Sequence, residues 1–219
     1  MKRNFQGIGM TSQRSRDRLV EQLRQQGIQS EAVLDAIRNT PRHIFVDEAL
    51  ATRAYDNTAL PIGNKQTISQ PYIVARMTEA LLQQDKLQRV LEIGTGCGYQ
   101  TAILAQLLPE VYSIERIDAL LGKARSRLRD LQYRNINLKH GDGRLGWPEQ
   151  APFDGILVTA APTDMPEALT EQLSVGGRLI IPIGEAGEQE LLCVSRNEDG
   201  LTEEHLDQVS FVRLADGRG

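Results

Sequence analysis

Three glycines at alternate positions, Gly94, Gly96 and Gly98, constrain this chain more than any other feature. The four residues before Gly94, residues 90–93, form a short apolar run that contains one acid, and residues 99–108 carry apolar side chains at helical spacing. A chain that turns from a buried strand into a helix needs open backbone angles, which glycine supplies. The stretch therefore predicts strand, tight turn and helix in a Rossmann-like, doubly wound α/β sheet, with a small-molecule site beyond the strand end.

The spacing of the glycines separates two classes of ligand. Dinucleotide-binding turns follow G-x-G-x-x-G, which seats a pyrophosphate on the helix N-terminus. This turn reads G-x-G-x-G and follows an acid, which resembles the first motif of S-adenosyl-L-methionine-dependent methyltransferases. A buried negative charge would suit the cationic methionine end of that cofactor and repel phosphates. We expect the methionine end to contact Glu92, Gly94, Thr95 and Gly96.

Two later strand ends carry polar groups that suit the same nucleoside. Glu115 follows an apolar run about 20 residues after the turn, where an acid can grip both ribose hydroxyls. Asp142 lies between two glycines after the next predicted strand, residues 136–140, and can reach an amino group of adenine. We therefore predict ribose contacts from Glu115 and Arg116, and adenine contacts from Asp142 and Gly143.

Composition limits the number of domains and the classes of binding partner. The chain has 219 residues, 40% of them hydrophobic, and reads as a single domain with N-terminal helices and a substrate loop in residues 1–75 and a cofactor-binding core in residues 76–219. A net charge of −4 without a basic block argues against nucleic acid. No apolar run is long enough for a membrane span or signal peptide, so we expect a cytoplasmic protein without membrane partners, and a monomer.

The two cysteines, Cys97 and Cys193, have neither a disulfide framework nor a zinc spacing, so we predict partly buried thiols and no metal. The remaining pattern predicts a helical cap before the sheet and an antiparallel hairpin at its C-terminal edge. We expect fraying before Ser12 and disorder in residues 215–219. Helices are predicted at residues 15–26, 72–82 and 165–173, and one more begins at the N-cap Ser30. Later strands are predicted at residues 153–159, 179–183, 190–195 and 208–214, with a turn at residues 197–200.

Residues 55–71 form the least regular part of the chain and precede the helix that leads into the first sheet strand. Prolines and small polar residues exclude a core helix or strand, and ordered loops of this length tend to be functional. Apolar side chains that a solvated loop would not need, and hydrogen-bonding groups bunched within four positions, support a functional loop. These residues are Ile62, Thr67, Ile68, Ser69 and Gln70. His43 could be a base, but beside Phe45 we interpret it as structural.

At this loop a specific resemblance appears. The runs LPIGNKQTISQPYIVARMTEAL, VLEIGTGCGYQTAILA, HGDGRLGW, APFDGILVTAAP and LSVGGRLIIPIG are similar to those of the protein-L-isoaspartate O-methyltransferase family, over about residues 41–214. The resemblance implies methyl transfer from S-adenosyl-L-methionine, leaving S-adenosyl-L-homocysteine. The acceptor it implies is the free carboxylate of L-isoaspartyl residues in damaged proteins and peptides, which then return through a succinimide to aspartate.

The resemblance also implies roles for residues. Ser69 takes the active-site position and orients the substrate carboxylate, while Thr67 and Ile68 close against cofactor and substrate. Substrate contacts are expected from Ile62, Thr67, Ser69, Gln70 and Val212. The family's last strand usually ends in Val-Pro-Leu, and Arg213 replaces that proline here, which puts the local substrate contact in doubt.

The residues also bear on the nucleophile. An amine or hydroxyl acceptor would need a base, whereas a carboxylate is already ionised at pH 7. No Asp, Glu or His lies in residues 65–72, which fits a carboxylate substrate. Two alternatives stay open: methylation of a small metabolite, and a noncatalytic nucleotide-binding module.

Overall fold

The computed structural model describes residue 7, residues 9–84 and residues 87–219. Its main element is a seven-stranded sheet, with a separate two-stranded hairpin. The strands are β1 (Leu60–Gly63), β2 (Gln66–Ile68), β3 (Arg89–Ile93), β4 (Glu110–Glu115), β5 (Ile136–His140), β6 (Phe153–Val158), β7 (Leu173–Ile183), β8 (Gln189–Asn197) and β9 (Gly200–Val209). The α-helices are α1 (Gln13–Gln25), α2 (Glu31–Asn39), α3 (Pro71–Leu82), α4 (Tyr99–Leu107), α5 (Asp118–Asp130) and α6 (Glu167–Glu171).

The strand order of the sheet is β5-β4-β3-β6-β7-β8-β9. The pairs from β5 to β7 are parallel, whereas β8 and β9 are antiparallel. The chain passes from β3 to β4 on one side of β3, and later crosses back to β6 on its other side. The carboxyl end of β3 is therefore the topological switch point of the sheet, where ligands bind in such folds. The predicted mostly parallel sheet with an antiparallel edge hairpin is confirmed.

Apolar packing covers both faces of β3. Leu91 and Ile93 belong to one buried cluster and Val90 to another, because alternate side chains of a strand point to opposite faces. A third cluster joins α1, α2, the β1–β2 hairpin and the first turns of α4. This packing fixes the hairpin beside the carboxyl end of β3. In the described residues, no helix has the length and apolar composition needed to cross a membrane.

Several predicted boundaries are confirmed and others are wrong. The side chain of Ser30 accepts a hydrogen bond from the Val33 N–H at 3.4 Å, as predicted for an N-cap, and Cys97 and Cys193 are buried free thiols. The predicted helix 165–173 is shorter, since α6 has five residues. Residues 55–71 are not wholly irregular, because they contain β1 and β2. The helix α5 was not predicted.

The C-terminal strands differ most from the predictions. β7 begins at Leu173, before the two glycines, with Gly176 at φ +82° where the ladder with β6 is irregular. The last strand is Gly200–Val209, not residues 208–214. It pairs with β8 along its length from the predicted turn at residues 197–200. Its first residues are exposed edge residues without apolar alternation, so the sequence carried no strand signal there.

The chain ends also bear on the predictions. A 3₁₀ turn spans Gly9–Thr11, and the rest of the segment before Ser12 lies mostly outside the described residues. The predicted disorder of residues 215–219 is wrong, because this tail makes backbone contacts with Arg116 and Asp142. Both residues are expected cofactor contacts, so the tail lies at the candidate site.

Candidate functional site

The turn after β3 is built closely around Gly94. This residue has φ +94°, and a Cβ atom on it would lie 2.3 Å from Thr159 Oγ1. That hydroxyl donates to the Gly94 carbonyl at 2.8 Å. The Gly94 N–H donates to the Ile114 carbonyl of β4 at 2.8 Å. The turn is therefore clamped between β4 and the residue after β6, and glycine is required by both its angle and the space available.

Glu92 lies behind the turn rather than on the cleft. Its side chain is fully buried, and Oε2 accepts hydrogen bonds from the hydroxyls of Thr101 and Ser113. The Ser113 hydroxyl is also 2.6 Å from Thr95 Oγ1. Oε1 has no partner among the described residues. A chain of hydrogen bonds thus links the Glu92 carboxyl to the turn through Thr95.

Burial sets the protonation of the Glu92 carboxyl in the chain without a bound ligand. Burial raises the pKa of Glu92 from 4.5 to about 8, and the hydroxyls of Ser113 and Thr101 offset this effect only in part. At pH 7 the carboxyl is therefore mostly protonated. Without a cation beside it, desolvation disfavours the ionised form of this carboxyl more than two hydroxyl donors favour it.

Glu115 stands at the end of β4 with its carboxylate at the edge of the cleft. Its Oε2 accepts from the Gly96 N–H at 2.8 Å and its Oε1 from the Ile117 N–H at 2.9 Å. Each oxygen of a carboxylate has two lone-pair sites, so one site on each oxygen remains. The two backbone donors fix the orientation of the carboxylate while leaving acceptors for a pair of hydroxyls.

Asp142 and Gly143 follow β5. A Cβ on Gly143 would come 2.3 Å from Ile93 Cγ2, so glycine permits the close approach to β3. Asp142 Oδ1 accepts from the Arg144 N–H at 2.9 Å, and its Oδ2 accepts from the Gly217 N–H at 2.6 Å. The tail therefore already contacts the carboxylate that we expect at the adenine.

The β1–β2 hairpin carries the polar loop to the other side of the cleft. Ile68 is buried and anchors the strand, whereas Thr67 is exposed and Ser69 half-buried. The Ser69 carbonyl accepts a hydrogen bond from Arg42 Nη2 at 2.8 Å. Its hydroxyl has no hydrogen-bond partner in the described part of the chain, so it is free to donate to a ligand.

One cleft brings most of the predicted residues together. Of the predicted site residues, its lining includes Thr67, Ile68, Ser69, Gly94, Thr95, Gly96, Glu115, Arg116, Gly143 and Val212. It does not include Ile62, Gln70, Glu92 or Asp142, which lie beside or behind its wall. The hairpin and the glycine turn thus face a common space, in which a cofactor and an acceptor can meet.

Sequence reasoning missed some residues of this cleft. Tyr99 and Gln100 line it from the start of α4, and Thr159 lines it after β6. No sequence pattern distinguished these from ordinary core positions. Arg42, which lies outside the lining but donates to the Ser69 carbonyl, was also missed. His43 lies outside the lining and is 2.8 Å from the Tyr55 hydroxyl through Nδ1, which agrees with a structural role.

The last strand region places Arg213 at the rim. Its backbone forms an isolated parallel bridge with Ala161, and the neighbouring Val212 carbonyl and Leu214 N–H bond to Ala161 at 2.8 Å each. The Arg213 side chain is exposed and lines the cleft. Arginine in place of proline is therefore compatible with a fixed segment here.

Comparisons with known proteins identify the family of this chain. The family model described as protein-L-isoaspartate(D-aspartate) O-methyltransferase matches residues 14–219. A protein-L-isoaspartate O-methyltransferase of Halorhodospira halophila is 62% identical, covering 99% of this chain and 98% of the relative. One of Alkalilimnicola ehrlichii is 56% identical, covering 97% of each.

A solved structure extends the agreement to the fold. The Plasmodium falciparum protein-L-isoaspartate O-methyltransferase, solved in complex with S-adenosyl-L-homocysteine, superposes with a TM-score of 0.80 at 26% identity. The match covers 91% of this chain and 98% of that one. From the family match, the two relatives and this shared fold, the chain belongs to the protein-L-isoaspartate(D-aspartate) O-methyltransferase family.

Proposed function

We propose that this chain repairs damaged proteins by transferring a methyl group from S-adenosyl-L-methionine to the free carboxylate of an L-isoaspartyl residue, with Ser69 orienting that carboxylate. The observation that carries the proposal is that Ser69, whose hydroxyl has no partner among the described residues, lines the same cleft as Glu115 and the glycine turn. The family of the chain names the same reaction.

The residues of the cleft fit the cofactor. When bound, S-adenosyl-L-methionine supplies a methyl group activated on a sulfonium. The fit rests on the turn, because Gly94, Thr95 and Gly96 line the cleft, and on Glu115, which keeps one acceptor site on each oxygen for the ribose hydroxyls. We assign the methionine end of the cofactor to Gly94, Thr95 and Gly96, with Glu92 acting through Thr95. We assign the ribose to Glu115 and Arg116, and the adenine to Asp142 and Gly143. Thr67 and Ile68 are assigned to the loop that closes over the bound cofactor.

The cleft needs no general base for this reaction. A carboxylate is ionised at pH 7 because its ordinary pKa is near 4. Glu115 is the one Asp, Glu or His among the described residues that line the cleft, and both of its oxygens are held by backbone N–H groups. The work of the protein is then to align nucleophile and methyl group and to exclude water.

The hairpin supplies the substrate contacts. Thr67 is exposed at the cleft and Gln70 is half-buried behind Ser69. Ile62 packs below the turn, since a Cβ on Gly96 would lie 3.5 Å from its Cδ1. Val212 also lines the cleft. We assign the backbone of the damaged peptide to the space between Thr67 and Val212.

The consequence of methylation follows from the chemistry of the ester. The methyl ester carries a better leaving group than the carboxylate does, so the neighbouring amide nitrogen attacks the ester carbonyl, closes a succinimide and releases methanol. Water then opens the succinimide, in part to normal aspartate. The partners are isoaspartyl-containing proteins and peptides, not nucleic acid or membranes, and we place the enzyme in the cytoplasm as a monomer.

The test compares an isoaspartyl peptide with the matching aspartyl peptide, using methyl-labelled cofactor. Only the isoaspartyl peptide should gain base-labile label, and equal labelling of both would reject the repair reaction. Ser69→Ala should lower kcat/KM by about tenfold to a hundredfold, as expected for loss of a hydrogen bond to a charged group, while leaving the Kd for S-adenosyl-L-homocysteine within about twofold. Ser195→Ala, on β8 away from the cleft, is the matched control.

A further inference from the structure

Arg42 is a buried cation under the substrate loop. It lies in the 3₁₀ turn Arg42–Phe45 and is 0% exposed. Its Nε donates to the Ala54 carbonyl at 2.9 Å, and its Nη2 donates to the Ser69 carbonyl at 2.8 Å and to the Thr58 carbonyl at 3.4 Å. One guanidinium thus ties three chain segments together, including the residue proposed to orient the substrate.

No acid balances this cation. Arg42 forms no ion pair within the described residues, and its Nη1 has no hydrogen-bond partner there. The guanidinium carbon lies 4.8 Å from the centre of the Tyr99 ring. Burial lowers the pKa of Arg42, yet an arginine in a protein stays charged at neutral pH. Burying a charge without a counter-charge is costly, so the fold tolerates an unbalanced positive charge at this place.

The surroundings connect that charge to the cleft. Tyr99 lines the cleft at the start of α4, and its buried hydroxyl also has no partner among the described residues. Burial raises the pKa of Tyr99 to about 12, so the ring stays neutral and does not cancel the charge. Because a buried interior screens charge weakly, an anion held by the Ser69 side chain would feel the guanidinium bonded to the carbonyl of that same residue.

We propose that Arg42 is a positioning residue for methyl transfer, which holds the Ser69 backbone in place and whose unbalanced buried charge makes the cleft prefer an anionic acceptor to a neutral one. The inference rests on the carboxylate methylation proposed above. The charge of Arg42 would also favour product release, because the methyl ester is neutral and is no longer attracted to the guanidinium as the acid was.

The charge is tested by binding of a matched pair of peptides. The first has an isoaspartyl residue with its free carboxylate; the second has the corresponding carboxamide and is neutral. Binding of both to the complex with S-adenosyl-L-homocysteine is measured by calorimetry for the wild type and Arg42→Met. We expect the wild type to prefer the acid, and this preference to fall about tenfold in Arg42→Met. An unchanged preference would overturn the charge role.

The positioning role is tested by Arg42→Lys, which keeps the charge but replaces the planar guanidinium fork, whose Nε and Nη2 reach separate carbonyls, with a single nitrogen. This variant should keep the preference for the acid, while kcat falls about tenfold with little change in KM. A wild-type kcat in Arg42→Lys would overturn the positioning role. Rescue of the preference by lysine but not by methionine is a result that loss of packing alone would not give.

The controls separate folding, surface charge and the parent proposal. Arg24→Met removes an exposed cation that pairs with Glu21 and Glu31, and should leave both readouts unchanged. The affinity for S-adenosyl-L-homocysteine and the Tm show whether each variant is folded. If Arg42→Met does not fold, Arg42→Gln is used in its place. If the wild type labels no isoaspartyl peptide, the proposed function is wrong. If the wild type does label that peptide, but the Arg42 variants keep the wild-type preference for the acid and the wild-type kcat, only the role of Arg42 is wrong.

Discussion

The backbone N–H of Gly217 donates a hydrogen bond to the Asp142 carboxylate across 2.6 Å. The same tail bonds to Arg116, whose Nε donates to the Gly217 carbonyl at 3.2 Å and whose carbonyl accepts from the Gly219 N–H at 2.8 Å. Arg144 adds an ion pair to Asp216 at 3.4 Å. The tail therefore bonds to two residues that we propose for the nucleoside, so we expect tail and cofactor to compete for the same groups.

Removal of residues 215–219 should tighten the binding of S-adenosyl-L-homocysteine. The truncated chain frees Asp142 Oδ2 and the Arg116 side chain, and exchange of about one hydrogen bond corresponds to a Kd about threefold to tenfold lower. Calorimetry on the full and truncated chains measures this difference. In an Asp142→Ala background the truncation should have a smaller effect, as a double-mutant cycle would report. Weaker binding after truncation would mean that the tail closes over the ligand instead.

The raised pKa of Glu92 predicts a pH-dependent stability. Its carboxyl has a pKa of about 8 in the folded chain against 4.5 for the free group, so the folded state holds the proton more tightly. The stabilisation from the bound proton is complete below about pH 4.5 and is lost as the pH rises through about 8. Over this range the loss is on the order of a few kcal/mol.

Glu92→Gln removes the titrating carboxyl, so the loss of stability between about pH 4.5 and pH 8 should disappear. The Tm of the variant relative to the wild type should rise as the pH increases from 5 to 9, even if the variant is less stable at pH 5 because its buried amide adds a donor. Thermal unfolding at several pH values measures the trend. Glu198→Gln, an exposed change in the β8–β9 turn, is the control and should give no such trend. Parallel Tm curves for Glu92→Gln and the wild type would contradict the assigned pKa.

The centre of the fold could be predicted from the sequence, and its edge could not. Strand β3 is an apolar run followed by glycines, so burial and turn chemistry agree locally. In β9 the residues from Thr202 to Glu204 are exposed, and main-chain pairing with β8 supplies the strand without any apolar pattern. A strand that needs no buried side chains leaves little trace in a sequence.

The same distinction applies to the site. Glu115 could be proposed because it follows an apolar strand, whereas the role of Ser69 came from the resemblance of its polar loop to a known family. The protonation of Glu92 depends on Ser113, 21 residues away, and on burial by the whole sheet. The role of Arg42 depends on Ser69, 27 residues later. Contacts between distant segments decide charge and orientation, and local pattern does not report them.

The space around Gly94 predicts that even one methyl group at this position damages the cofactor turn. Gly94→Ala combines a φ of +94° with a Cβ 2.3 Å from Thr159 Oγ1. Gly187 has the same φ of +94° and nothing within 4 Å of the built Cβ, so Gly187→Ala measures the backbone strain alone. That strain costs about 1–2 kcal/mol. We expect Gly94→Ala to lower the Tm more than Gly187→Ala, and to weaken S-adenosyl-L-homocysteine binding at least about tenfold.

Thr159→Ala in combination with Gly94→Ala identifies the cause. The second change removes the oxygen nearest to the new methyl group and leaves the next atom, Thr159 Cβ, 3.6 Å away, an ordinary contact. The double variant should therefore bind S-adenosyl-L-homocysteine more tightly than Gly94→Ala, despite losing the hydroxyl that donates to the Gly94 carbonyl. If the two weaken binding additively, the collision is not the cause, and the left-handed backbone angle alone accounts for the glycine.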